Sequence, residues 1–216
     1  MAANRTAQGR PRGGLADKRR AILAGALTVF ARDGYTRASI DAISAEAAVS
    51  TRTVYNHFTN KAELFGTVIQ ESATRAAEAQ IVIIDRYLRK VTDVEADLID
   101  FGTAWVSTVP ELAEHFSLVR QVRAEIGHIP TEAIDAWQET GPRRVRGELA
   151  LHLRRVADQG ILAIDDAERA ALHLMALVSA ETHTRPYADP TEAETAATVT
   201  AGVRAFLHGH LVRDRA

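Results

Sequence analysis

Apolar side chains recur three or four positions apart along almost the whole chain, and no stretch alternates apolar with polar residues or carries an Asn-Gly hairpin signal. The pattern predicts an all-α fold of about nine helices. From Leu15 to Arg32 the positions Ile22, Leu23, Ala26, Leu27, Val29 and Phe30 form one broad stripe, and Gly34 after Asp33 supplies a left-handed stop. Ile40, Ile43 and Ala47 then fall at i, i+3 and i+7 behind Ser39, a natural N-cap, so this second helix is about two turns long. After the turn Ala48-Val49-Ser50, Ser50 can cap a third short helix with Val54 and Phe58 facing inward. Asn60-Lys61-Ala62-Glu63 is a capping box that opens a helix expected to run to about Gln80.

Helix punctuation continues to the end of the chain. Pro110 and Pro142 fit first-turn positions, and Gly160 ends the helix of Val145, Leu149, Leu153 and Val156. Asp165-x-x-Glu168 and Thr191-x-x-Glu194 read as caps of two last long helices, spanning about Asp165 to Thr182 and Thr191 to Leu211. Ala167, Ala171, Leu174 and Val178 line one of these. Ala197, Ala201, Val203, Phe206, Leu207 and Leu211 line the other. Spacing alone leaves two readings of these faces: core within one chain, or an interface with a second copy.

Two short helices, a tight turn and a capped third helix between Thr36 and Leu64 make a helix-turn-helix. Its second short helix turns Thr51, Arg52, Thr53, Tyr55 and Asn56 outward. Arg pairs bidentately with guanine and Asn with adenine in the major groove, while Tyr and Thr reach phosphate oxygens. The wording Ile43-Ser44-Ala45-Glu46-Ala47-Ala48-Val49-Ser50, Thr53-Val54-Tyr55-Asn56-His57-Phe58 and Lys61-Ala62-Glu63-Leu64 resembles the DNA-binding domain of TetR/AcrR-family transcriptional regulators. Carried over residue by residue, the resemblance implies that Arg52, Thr53 and Asn56 lie over bases, and that Thr36, Thr51, Tyr55, His57 and Lys61 hold phosphates. Two positions depart from the family. Ala48 stands where Gly is usual in the turn, at a cost of about 1 kcal/mol if φ is positive there. Ser44 replaces the usual Ala, and its hydroxyl is expected to return to a backbone carbonyl one turn back.

Charge sharpens this division. Residues 1 to 65 carry +5 and the remainder −7, for a formal net charge of −2. A polyanion suits the basic part, since phosphate neutralisation and counterion release drive nucleic-acid binding. Residues 1 to 14 hold Arg5, Arg10 and Arg12 but hardly any apolar side chain, and read as a flexible basic arm. Either the arm has no role, or it tracks the minor groove or backbone with Arg12 as the foremost contact. Residues 15 to 65 are then the DNA-binding domain and 66 to 216 an effector-binding and dimerisation domain. Hydrophobic residues make up 46% of the chain, ample for a buried core, and cysteine is absent, which excludes thiol catalysis, cysteine-ligated metal and disulfides. No apolar run approaches the roughly 20 residues that cross a bilayer, and the start lacks a signal peptide's apolar segment, so a soluble, cytoplasmic protein is expected.

The stretch from Glu139-Thr140-Gly141-Pro142 to Asp165-Asp166 is similar to a common C-terminal subtype of the same family. That resemblance implies a homodimer whose last two helices form a four-helix bundle with the partner's, Ala167, Ala171, Leu174, Val178, Val203, Phe206, Leu207 and Leu211 facing it. It also implies a pocket for an unknown small-molecule effector. Phe101, Trp105, His115, Phe116, Val119, Trp137 and Met175 are the candidate lining, although ordinary core packing is the favoured reading of each. No His-Glu-x-x-His, Gly-x-Ser-x-Gly, phosphate-cradling glycine loop or dinucleotide fingerprint is present, so neither an enzyme nor a cofactor is implied. His208 and His210, two apart on a helix, point about 200° away from each other and cannot share a metal. The resulting expectation is a regulator of a palindromic double-stranded operator, by default a repressor with activation left open, released by its effector through a population shift that alters the recognition-helix spacing from about 34 Å or another whole-turn value. The alternative is a helical DNA-binding adaptor or architectural protein that senses no small molecule.

Overall fold

The computed structural model describes residues 14–107, 110–180 and 190–211. Among them every regular element is helical, apart from one isolated antiparallel bridge between Leu162 and Leu211. The α-helical segments are α1 (Leu15–Arg37), α2 (Ile40–Glu46), α3 (Thr51–Tyr55), α4 (Lys61–Leu88), α5 (Val94–Val106), α6 (Ala113–Ala124), α7 (Thr131–Gln138), α8 (Arg144–Asp158), α9 (Ala167–Val178) and α10 (Glu192–His210). A π turn over Glu139–Arg143 joins α7 to α8 without a break, so the described residues form nine helical rods.

Local chemistry sets most of the ends. The Ser39 hydroxyl accepts from the Ala42 N–H at 3.1 Å, Ser50 from the Thr53 N–H at 3.1 Å, and the Asn60 carbonyl from the Glu63 N–H at 2.9 Å. Each satisfies one orphan donor of a first turn. Thr191 and Glu194 form a reciprocal capping box at α10. The cap of α9 is Asp166 rather than Asp165: its carboxylate accepts from the Arg169 N–H at 3.0 Å. Gly34 and Gly160 lie at φ +80° and +76°, where a side chain is strained, and Gly160 follows the end of α8.

Two elements differ from the sequence expectation. Helix α4 continues about two turns past Gln80, because Ile84 and Leu88 extend its buried face. Pro142 does not open a helix but lies inside the π turn, where the wider loop accommodates the missing N–H and the chain bends instead of ending. Pro110 opens a single 3-10 turn, Pro110–Leu112, ahead of α6.

Two cores hold these rods. The first joins Phe30, Ile43, Val54, Leu64 and Phe65 to Leu118, Val122 and Trp137, so that residues on both sides of position 65 share it; the Phe30 and Phe65 rings meet edge to face at 5.0 Å. The second joins Ile84, Leu98 and Phe101 to Leu149, Leu153, Leu174, Val203 and Phe206. Each fully buried side chain of this size contributes about 1.5–3 kcal/mol. At the crossing of α10 on α9, a Cβ on Gly202 would stand 2.5 Å from the Leu177 carbonyl oxygen, which only glycine avoids.

Candidate nucleic-acid interface

Helix α3 is one capped turn and a half, pinned from below. Val54 and Phe58 are buried, while Arg52, Tyr55 and Asn56 are exposed and Thr51, Thr53 and His57 half-buried. Tyr55 leaves 55% of its surface in solvent. The Thr53 hydroxyl shares a 2.8 Å hydrogen bond with that of Ser50, which steadies it beside the cap.

The turn before α3 confirms the cost read from the sequence. Ala48 has φ +52° and is the only non-glycine residue at positive φ among the described residues. The Ser44 hydroxyl donates to the Asp41 carbonyl at 2.9 Å, and so is satisfied where α2 is buried. Gly25 allows α1 to press against the end of α2, since a Cβ there would come within 2.8 Å of the Ala47 nitrogen. Its signal was available: a glycine in the middle of an apolar helical stripe.

Thr36 and Lys61 are already engaged inside the chain. Thr36 donates its N–H and its hydroxyl to Glu125, at 2.9 and 3.2 Å. The Lys61 ammonium donates to the carbonyls of Tyr35, Thr36 and Ala38 at 2.8, 3.3 and 3.0 Å and lies over the Tyr35 ring. All three of its N–H bonds are used in this clamp on the carbonyls that α1 leaves open at its C-terminus. Arg12 and the rest of the basic arm lie outside the described residues.

The side chains expected around an effector divide between the two cores. Phe101, Trp105 and Met175 join the second core, with the Phe101 and Trp105 rings 5.6 Å apart, whereas Val119 and Trp137 join the first. Phe116 is 37% exposed. His115 is buried with its Nδ1 2.9 Å from the Ser72 hydroxyl. Burial pushes its pKa down to about 4, with nearby Arg75 acting in the same direction, so it is neutral at neutral pH. Trp137 buries an Nε1–H that has no protein partner.

Most of the expected dimer face is also redirected. Ala167, Ala171, Leu174, Val178, Val203, Phe206 and Leu207 are all buried within their own chain, because α9 and α10 spend these stripes on α8, α5 and each other. Leu211 alone of that set is exposed, at 43%. What α9 and α10 leave to solvent is another surface: Leu172, half exposed, and Ala197, Ala201, Ala205 and Gly209, every fourth residue of α10. Between the two helices runs a groove of about 360 Å³, lined among others by Ala176, Leu177 and Ala205. No described helix is long and apolar enough to cross a membrane.

Residues 22–68 match the family of bacterial regulatory proteins, tetR family, and residues 96–209 match the AefR-like transcriptional repressor C-terminal domain. A stretch of 44 residues is 52% identical to the DNA-binding transcriptional repressor TetR of Mycobacteroides abscessus, over 20% of this chain and 23% of that protein. The chain therefore aligns with under a quarter of the length of this curated relative. A TetR-family transcriptional regulator from Mesorhizobium loti MAFF303099 has a similar structure, with a TM-score of 0.78 at 25% identity over 94% of this chain and 100% of that one. The flavonoid-responsive regulator FrrA gives 0.64 at 26% identity over 93% and 100%. The fold is shared too by a regulator from Saccharomonospora viridis in complex with choline, with a TM-score of 0.67 at 22% identity over 92% and 100%. With its helix-turn-helix matched at one end and more than half of its length matched by the AefR-like domain, the chain belongs to the TetR family of DNA-binding transcriptional regulators.

Proposed function

We propose that the protein is a homodimeric, cytoplasmic repressor that occupies a pseudo-palindromic operator until a small molecule reshapes the C-terminal domain. One observation carries the DNA side of this reading: the capped helix α3 buries Val54 and Phe58 and leaves Arg52, Tyr55 and Asn56 in solvent. Arg52, Asn56 and the half-buried Thr53 are assigned to bases, and Thr51, Tyr55 and His57 to phosphates. Thr36 reaches a phosphate only by giving up Glu125. Pairing of two copies is assigned to the exposed small-residue stripe of α10 with Leu172 and Ala176 of α9, where small side chains let helices approach closely. Two copies related by a two-fold axis match two half-sites about one helical turn apart.

An effector is supported by kinship with a flavonoid-responsive regulator and by the unpartnered Trp137 Nε1–H, which a ligand acceptor would satisfy. The test is selection of genomic DNA by the full-length protein, followed by footprinting of the selected site and a screen of metabolites for release. Protection of two symmetric half-sites and release by at least one compound is the expected result. Symmetric protection that no compound relieves, with no compound raising the melting temperature, favours the adaptor reading.

A further inference from the structure

We propose that Asp85, Glu148 and His152 form a binding site for a divalent transition-metal ion of the Zn²⁺ type, clamped between the end of α4 and α8. Their ligand atoms lie within 4.8 Å of one another. Glu148 and His152 are four apart on α8 and so share a face, and Asp85 comes to them from the last turn of α4.

The hydrogen bonding of His152 makes this more than a surface cluster. Its side chain is fully buried, and Nδ1 is 2.9 Å from the Leu88 carbonyl, a group that can only accept. Nδ1 therefore carries the proton. In the neutral ring Nε2 is then a bare lone pair, and it faces Asp85 Oδ1 at 3.0 Å and Glu148 Oε1 at 3.8 Å, both acceptors when ionised. Lone pairs aimed at one another in a half-buried site call for a positive charge between them, and a metal ion supplies it as well as a proton on Nε2 does. An imidazole whose other nitrogen donates to a backbone carbonyl is the arrangement that orients metal-bound histidines.

Geometry and donor set select the ion. Bonds of 2.0–2.1 Å around tetrahedral zinc give ligand-to-ligand edges of about 3.3 Å; the two edges from His152 are 3.0 and 3.8 Å, and the edge between the carboxylates is within 4.8 Å. Asp85 and Glu148 are 44% and 31% exposed, so the fourth corner opens to water. One imidazole and two carboxylates suit Zn²⁺, Co²⁺ or Ni²⁺; Mg²⁺ and Ca²⁺ ask for more oxygens and no nitrogen.

The experiment uses the full chain, stripped of metal with a chelator. Co²⁺ is titrated while its visible d–d absorption is followed, and Zn²⁺ is added by calorimetry and as a competitor. The expected result is uptake of one ion per chain at micromolar concentration, and a higher melting temperature with Zn²⁺. Asp85→Asn and Glu148→Gln, which keep side-chain shape at partly exposed positions, should each weaken uptake at least about tenfold and abolish the thermal shift. Absence of saturable uptake would overturn the proposal and leave a proton as the bridge between His152 and Asp85. Uptake unchanged by both substitutions would place the ion elsewhere, and ready displacement by equimolar Mg²⁺ would show a carboxylate-only site; either result also overturns it.

Discussion

Glu125, at the end of α6, holds Thr36, at the end of α1, by accepting from both its backbone N–H and its hydroxyl. Gly34 makes room for this carboxylate, because a Cβ there would stand 2.6 Å from Oε1. Two donors of the kind that a DNA phosphate would engage are thereby given to an acidic side chain of the C-terminal domain. Partial burial pushes the Glu125 carboxyl up, but the bonds from Thr36 and Tyr35, with Arg37 nearby, more than reverse this and hold it below the usual carboxylate range. A lowered carboxyl stabilises the fold fully above its unfolded value and ceases to do so as pH falls through its folded value. Glu125→Gln should therefore melt lower at neutral pH and lose less on acidification. Glu125→Ala, which removes the acceptor as well as the charge and so frees Thr36, should also bind random DNA more tightly. Equal DNA affinity in Glu125→Ala and the unsubstituted protein would show that Thr36 takes no part.

DNA affinity also separates the residues of α3 from Lys61. Arg52→Ala and Asn56→Ala should each cost about 1–3 kcal/mol on the operator and much less on random DNA. Tyr55→Phe should weaken both about equally and leave the salt slope unchanged, because a neutral phenol releases no counterion. Lys61→Met should leave that slope unchanged and lower the melting temperature, since charge-assisted bonds to three carbonyls are lost. A shallower slope for Lys61→Met would return Lys61 to the phosphate contacts.

The assembly is testable at two positions on α9 and α10. Leu172→Glu places a charge on the exposed surface, so folded monomers with weak operator binding are expected from sedimentation and circular dichroism. Phe206→Glu places the charge in the second core, where Phe206 is 2% exposed, and should unfold the chain instead. A Leu172→Glu protein that remains a dimer would move the interface to another face.

Acid should destabilise the protein through His115. Its neutral form is favoured in the fold, so stability is complete above about pH 6.5 and declines as pH falls from there towards 4, by about 3 kcal/mol in all. In His115→Asn this part of the pH profile should flatten. Denaturant midpoints between pH 7 and pH 4 provide the measurement, and an unaltered profile would remove His115 as the cause.

Features that depend on neighbours along the chain are legible in the amino-acid sequence. Ser39, Ser50, Asn60 and Thr191 cap helices because the donors they satisfy lie two or three residues away. The strain at Ala48 and the stop at Gly160 follow from the same local geometry. Other features are hidden because their cause is remote. Spacing puts Phe206 and Leu174 on apolar faces but does not say that α9 and α10 cover each other before any partner does. Glu125 lies 89 residues from Thr36, and Asp85 lies 67 from His152. Lys61 matches a motif that implies a phosphate contact, and spacing does not say that its stem folds back on the end of α1. Pro142 carries the ordinary mark of a helix start, and only the continuous run from α7 to α8 shows that the chain passes through it.

Helix α4 has 28 residues and is therefore roughly 42 Å long. Its last turn is tied to α8 by the bond from His152 to Leu88, and its first turn supports the helix-turn-helix through Leu64 and Phe65. Such a rod works as a lever. A tilt of about 5° at Leu88 sweeps the Lys61 end through roughly 3.7 Å, close to the 3.4 Å rise of one base step. A tilt of a few degrees at one end of α4 would therefore displace the other end by about one base step.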